Sequence, residues 1–216
     1  MAKAKRNAQT DEHEEMGRKP KGGFEMTKLR IIGGSMRGRT IPFRVDPTTR
    51  PMKDRTREAL FNLLGGKLDD FVAVDLFAGS GVLLLEAISR GAVGGVGVEL
   101  DRRAFQDLQK TVELLGVQNA RFVQGDAFAV SEVLDTRFAE LKETPWCVFI
   151  CPPYRLWVEN REACQRLLHC VCEKAPAGSL VAVEFDEPAP LEMLSTDWSW
   201  DVRTYRPAVL AIGDRR

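Results

Sequence analysis

Histidine is nearly absent from this sequence: His13 and His169 are the only two in 216 residues, and the five cysteines, at 147, 151, 164, 170 and 172, form no CxxC pair. A structural zinc site needs four such ligands at short spacings, so no metal is expected, and the unpaired thiols are expected to stay reduced, as inside a cell. No apolar run approaches the roughly 18 residues a membrane helix requires, and no basic-then-apolar leader opens the chain. The acids at 11–15 also argue against a mitochondrial transit peptide. A cytoplasmic monomer without a membrane partner is therefore expected. Net charge is missing as well, with 31 Lys and Arg against 31 Asp and Glu. What remains is 44% hydrophobic and 29% charged, the composition of an ordinary globular protein with one sizeable core.

The balanced charge hides an asymmetry. Residues 1–60 hold 15 Lys and Arg against 8 Asp and Glu, and residues 61–216 hold 16 against 23. Nine bases, Lys28, Arg30, Arg37, Arg39, Arg44, Arg50, Lys53, Arg55 and Arg57, stand among only two acids between positions 28 and 57. A basic module on an acidic body suits a polyanion, most simply nucleic acid; a solvated arginine-rich surface is the plainer alternative.

In chain order, residues 1–27 mix both charges with few apolar groups and read as a disordered tail. Residues 29–42 read as two short strands around a glycine-bearing turn. From Met52 to Leu64, the helical spacing of Ala59, Leu60, Leu63 and Leu64 predicts a helix that ends at Gly65-Gly66, with Arg55 and Arg57 off its apolar stripe. The basic extension thus spans 28–66 and the main domain 67–216. In the latter, strands at 71–76, 94–99, 120–124, 146–151 and 179–185 alternate with helices at 81–90, 101–115, near 127–141 and at 158–174. That alternation predicts an α/β domain with a mainly parallel sheet covered on both faces. The last segment, with Trp198, Trp200, Tyr205 and the run 208–212, predicts a closing antiparallel hairpin.

The chain is organised around Val72–Gly81, a short β-branched strand running into Gly79-Ser80-Gly81 and then into a helix. Such a turn brings bare backbone and helix N–H groups up to a ligand, with Asp75 at the strand's carboxyl end. A dinucleotide fingerprint would place a third glycine where Leu84 stands, which discounts NAD or FAD. Glu99 closes the next strand, where a carboxylate accepts ribose hydroxyls, and Asp126 follows the third, within reach of an adenine amine. Each acid alone reads more readily as a helix cap or a surface residue than as a ligand contact. Together they suit a cationic ligand better than phosphates, which prefer Lys or Arg.

Asp75-Leu76-Phe77-Ala78-Gly79-Ser80-Gly81, with Glu99 and Asp126, resembles the cofactor site of class I S-adenosylmethionine-dependent methyltransferases. Arg30-Ile31-Ile32-Gly33-Gly34, Arg37-Gly38-Arg39, Arg50-Pro51, Asp54-Arg55, Arg57–Asn62 and Ser89–Ala92 resemble more narrowly the RsmD family, which methylates guanine N2 in 16S ribosomal RNA. The resemblance covers about residues 29–213. It implies a Rossmann-like class I methyltransferase sheet. It further implies that Asp75 and Phe77 belong to the S-adenosylmethionine site, that Gly79 to Gly81 line the methionine end, that Glu99 holds the ribose and that Asp126 holds the adenine. Arg30, Arg37, Arg39, Arg50, Lys53, Arg55 and Arg57 would grip RNA, and the enzyme would methylate an exocyclic base amine in the small ribosomal subunit. Protein glutamine and DNA adenine are other acceptors served by the same kind of cofactor site.

The family's catalytic tetrad, Asp, Asn or Ser, then Pro-Pro, then an aromatic, corresponds to Cys151-Pro152-Pro153-Tyr154. The family's side-chain oxygen at the first position and the first proline's carbonyl accept the amine's two protons, and the aromatic stacks on the base. A thiol is only a weak acceptor. Three readings of Cys151 follow: a small buried residue in a tolerant enzyme, a mark of a catalytically weak RNA-binding or ribosome-assembly relative, or a nucleophile for a pyrimidine. The last lacks any nearby lysine or histidine to lower the thiol pKa.

Overall fold

The computed structural model describes residues 26–44, 51–129 and 143–215. A two-stranded antiparallel hairpin comes first, β1 (Met26–Arg30) against β2 (Thr40–Arg44). Its first strand begins two residues inside the stretch read as a tail. Helix α1 (Asp54–Leu63) follows. The main body then runs β3 (Val72–Asp75), α2 (Val82–Ser89), β4 (Gly94–Glu99), α3 (Arg102–Leu115), β5 (Ala120–Gln124) and β6 (Trp146–Ile150). It closes with α4 (Leu156–Glu159), α5 (Arg161–Lys174), β7 (Leu180–Asp186), β8 (Ser199–Tyr205) and β9 (Ala208–Asp214).

Seven strands form one sheet in the order β5-β4-β3-β6-β7-β9-β8. The first five are parallel, and β9 pairs antiparallel with both β7 and β8, as the closing hairpin requires. Successive strands step outward from β3 to β4 to β5, and then β6 returns to the other side of β3. The order therefore reverses between β3 and β6, where loops leave in opposite directions and open a crevice at the strands' carboxyl ends.

Both sheet faces are buried, which is why the central strands are almost wholly apolar. On one face, Val74, Val148, Ile150 and Val183 pack with Leu168 and Val171 of α5 and with Trp157 and Trp198. On the other, Ala73, Phe149 and Ala182 pack with Leu84 of α2, Phe61 of α1, and Ile31 and Ile41 of the hairpin. The hairpin and α1 thus belong to the core that covers the sheet.

Two helices differ from expectation. The single helix read over 158–174 is two, because Asn160 breaks the ladder with φ −124° between α4 and α5. Of the helix expected near 127–141, Ala127–Ala129 form a single 3₁₀ turn, and the stretch from 130 lies outside the described residues.

Leu84 stands where a dinucleotide site would carry its third glycine, and the packing shows how a leucine is admitted. A Cβ on Gly95, in the neighbouring strand β4, would lie 2.5 Å from Leu84 Cδ1. The close helix–strand approach is kept, with the glycine on the strand and the bulk on the helix.

Arg57, read as an RNA contact, is fully buried. Its guanidinium donates to the carbonyl of Arg30 at 2.6 Å and to Asp54 Oδ1 at 3.0 Å, and lies 3.9 Å from Glu86. Glu86, also fully buried, accepts from the backbone N–H groups of Ile32 and Gly33 at 2.7 Å each and pairs with Arg90 at 2.9 Å. The helical stripe was displaced by this polar knot. Position 57 faces inward because a buried carboxylate must be paired.

Candidate active site

Asp75 ends β3 with no exposed surface. One oxygen accepts from the Phe77 N–H at 3.3 Å, and Oδ2 has no partner among the described residues. Burial, with a smaller contribution from Glu99, pushes its carboxyl up to about 7. A buried carboxylate with an orphaned oxygen is poised for a cation.

Beyond it the chain turns through Gly79 (φ 52°) and Gly81 (φ 73°). At Gly81 no side chain is admissible: the left-handed backbone disfavours one, and a Cβ would meet Leu108 at 2.6 Å and Phe122 at 2.8 Å. Ser80 turns its hydroxyl to the Val82 N–H at 3.4 Å, at the start of α2. Glu99 reaches across from β4; Oε2 accepts from Gly79 N–H and Oε1 from Asp101 N–H, each at 2.7 Å. Burial pushes its carboxyl upward while those N–H groups pull it down. Glu99 therefore clamps the glycine turn directly, a role its place at the end of β4 did not announce. Asp126 is exposed and accepts from Phe128 N–H at 2.9 Å, so it caps the 3₁₀ turn while leaving its other oxygen open. Phe77 packs edge-on against Phe128, ring centroids 5.9 Å apart.

On the facing side of the crevice, β6 delivers Cys151-Pro152-Pro153-Tyr154. Cys151 is half-buried, and burial followed by the charges of Glu184 and Asp75 pushes its thiol well above its ordinary value. Both effects work against the thiolate a nucleophile needs. The loop is held by Leu156 N–H to the Pro153 carbonyl at 2.9 Å and Trp157 N–H to the Tyr154 carbonyl at 3.1 Å. Tyr154 Oη donates to Glu184 Oε1 at 2.8 Å, and Trp157 Nε1 donates to the Glu184 carbonyl at 2.9 Å. The Tyr154 hydroxyl is thereby fixed, and burial with the adjoining Glu184 charge pushes its pKa up. Sequence reasoning passed over Glu184. Its signal was a lone acid inside the apolar strand Val181-Ala182-Val183-Glu184-Phe185.

The basic residues divide. Lys28, Arg37, Lys53 and Arg55 are exposed and make no ion pair among the described residues. Arg30 lies 4.0 Å from Asp54, and Arg39 donates to the Leu115 carbonyl at 2.8 Å. Arg44 pairs with Asp107 at 2.8 Å. Arg50 lies outside the described residues, and Arg57, expected from sequence to contact RNA, is withdrawn from the surface by burial. No cluster of three or more metal-ligating side chains occurs among the described residues, and none of their helices is long and apolar enough to cross a membrane.

The family model described as Conserved hypothetical protein 95 matches residues 29–203. The chain is similar to Ribosomal RNA small subunit methyltransferase D of Escherichia coli (strain K12), with 43% identity over 129 residues, covering 59% of this chain and 61% of that protein. The aligned stretch thus spans less than two thirds of the relative's length. Among solved structures, yhhF from Escherichia coli superposes with a TM-score of 0.68 at 31% identity, covering 88% of this chain and 99% of that one. An RNA methyltransferase from Salinibacter ruber in complex with S-adenosyl-L-homocysteine superposes at 0.52 with 20% identity, over 76% of this chain and 92% of its own, a likeness of fold. The class I methyltransferase sheet and the resemblance to RsmD proteins expected from sequence are both borne out.

Proposed function

The chain belongs to the Conserved hypothetical protein 95 family, and from that premise we propose that it is an S-adenosylmethionine-dependent RNA methyltransferase acting on an exocyclic base amine, guanine N2 of small-subunit ribosomal RNA. One observation carries the reading. Strand order reverses between the neighbours β3 and β6, and their carboxyl ends carry the orphaned Asp75 carboxylate and the glycine turn on one, and Pro152 and Tyr154 on the other, where such sheets bind ligands.

The residues fit the cofactor. Asp75 Oδ2 is a buried acceptor without a donor, the glycine turn offers bare backbone, and Glu99 and Asp126 each keep lone pairs beyond their backbone contacts. Gly79–Gly81 would face the methionine end, Glu99 the ribose and Asp126 the adenine. When bound, S-adenosylmethionine supplies a methyl group on a sulfonium: its transfer forms one N–C bond, breaks one S–C bond, leaves the electron pair on sulfur and releases one amine proton. The chain's own part is positional. The Pro152 carbonyl accepts one amine hydrogen, and the Tyr154 ring stacks on the unstacked base, a contact worth about 1–3 kcal/mol. Lys28, Arg37, Lys53 and Arg55 bind the phosphates outside.

The test is transfer of labelled methyl from S-adenosylmethionine to undermethylated small subunits, with the modified nucleoside identified by mass spectrometry. N2-methylguanosine in the ribosomal RNA is expected. Cofactor binding without any methylated nucleoside would refute the reading.

A further inference from the structure

Glu184 belongs neither to the cofactor acids nor to the tetrad, yet it stands inside the site. It interrupts a strand whose residues Val181 to Val183 and Phe185 are fully buried, where a carboxylate without a partner is costly. Strands β6 and β7 run in parallel register through Ile150 and Val183. The next residue on each is Cys151 and Glu184, on the sheet face that carries Phe149 and Ala182. Asp75 lies on the same face in β3, in register with Phe149. The carboxyl ends of three adjacent strands therefore present a row, Asp75, Cys151, Glu184, with the neutral thiol between two carboxylates.

The two oxygens of Glu184 are not alike. Oε1 accepts from the Tyr154 hydroxyl at 2.8 Å. Oε2 has no hydrogen-bond partner among the described residues and, unlike Asp75 Oδ2, is not sealed from solvent. The same carboxylate is tied through Oε1 to Tyr154, in the loop that also carries Pro152.

Resting on the methyltransferase reading above, we propose that Glu184 is the side-chain acceptor for the target base, its Oε2 taking hydrogens from the edge that carries the exocyclic amine. It fills the role that the Cys151 thiol fills poorly. Position 151 is neutral because a third carboxylate between Asp75 and Glu184 would add like charge in a buried row.

The proposal selects a base. Guanine presents N1–H and the N2 amine side by side, two donors toward Oε2, since Oε1 is already held by the Tyr154 hydroxyl. Adenine presents a lone pair at N1 beside its N6 amine, which a carboxylate repels. A single carboxylate thus serves both orientation of the amine and discrimination against the wrong purine.

The experiment measures methyl transfer to undermethylated small subunits by Glu184→Ala, Glu184→Gln, Tyr154→Phe and the double variant Cys151→Asp/Glu184→Ala, with cofactor affinity by calorimetry. Glu184→Ala should lower kcat by roughly 100-fold, the scale of losing one orienting polar contact in an active site, with cofactor affinity unchanged. Tyr154→Phe keeps the ring and loses one hydrogen bond, a cost of at most about tenfold. The double variant returns a carboxylate to the row from the neighbouring strand and should recover much of the rate. Glu184→Gln, whose amide can donate to adenine N1, should shift the products from N2-methylguanosine toward N6-methyladenosine. Wild-type rate and base selectivity in both Glu184 variants would overturn the proposal. So would a Tyr154→Phe loss as severe as that of Glu184→Ala with no recovery in the double variant, since Glu184 would then only anchor the ring. If Glu184→Ala loses cofactor binding, the isosteric Glu184→Gln decides by its product ratio. Failure of wild type itself to transfer methyl, with cofactor bound, would instead sink the underlying reading.

Discussion

Replacing Asp75 by asparagine removes a charge while keeping the shape and the oxygen that meets Phe77 N–H. The carboxyl stands at about 7 in the folded protein against 3.8 ordinarily, chiefly through burial. Folded Asp75 therefore holds its proton more tightly than unfolded Asp75. The stability linked to this group is complete below pH 3.8 and is lost as pH rises through 7. At about 1.4 kcal/mol per pH unit, the loss across that window is about 4 kcal/mol. Asparagine has no proton to lose. In urea titrations of the cofactor-free protein between pH 4 and pH 8, the stability of Asp75→Asn minus that of wild type should climb with pH and level off near pH 8. Titrating groups that do not feel the Asp75 charge cancel in this difference, and the coupling to Glu99 is the smaller contribution. At pH 8 the net gain should be about 1–3 kcal/mol, because the new amide's N–H groups stand where Oδ2 has no partner and an unmade hydrogen bond costs 1–3 kcal/mol. A difference curve flat to within about 1 kcal/mol would refute the assignment of Asp75 as a strained anion. The same variant should bind S-adenosylmethionine more weakly, since the strained charge is what a cationic ligand relieves.

Two further perturbations separate residues that look alike in sequence. Arg55→Ala should leave stability unchanged and reduce the salt slope of RNA binding by about one phosphate contact, whereas Arg57→Ala should destabilise by about 3 kcal/mol by removing buried hydrogen bonds beside Glu86. For a chain of this size that is roughly a 6–12 °C fall in Tm; equal Tm values for the two variants would contradict the buried placement. Gly95→Ala should cost about 1–3 kcal/mol through collision with Leu84. In a double-mutant cycle with Leu84→Ala the two changes should couple favourably by about 1 kcal/mol or more, and additivity would show that the contact is not the constraint.

The sheet was readable because short apolar runs alternate with turns and helical stretches along the chain. The glycine turn and its acids were readable because Gly79, Gly81, Asp75 and Glu99 stand at strand ends, where chemistry is exposed. Arg57 and the buried acids Glu86 and Glu184 were harder. One-dimensional spacing places Arg57 off an apolar stripe, and nothing local says that Glu86, 29 positions later in the chain, buries a charge opposite it. Glu184 lay hidden for a related reason: its meaning depends on strand pairing with Cys151, a register that emerges only when β6 and β7 lie side by side. The boundary between α4 and α5 turned on the backbone of Asn160, which helical periodicity alone passes through.

The knot at Glu86 also bears on how the chain can be divided. The backbone N–H groups of Ile32 and Gly33 find their acceptor in a residue of α2, and Ile31 and Ile41 find their apolar neighbours on the sheet. A fragment ending after α1 would carry the basic surface but lack the carboxylate and the apolar bed that give it shape. The arginines of the hairpin are therefore no transplantable basic tag. Their spacing is an output of the whole fold, and grafting them elsewhere would transfer charge without geometry.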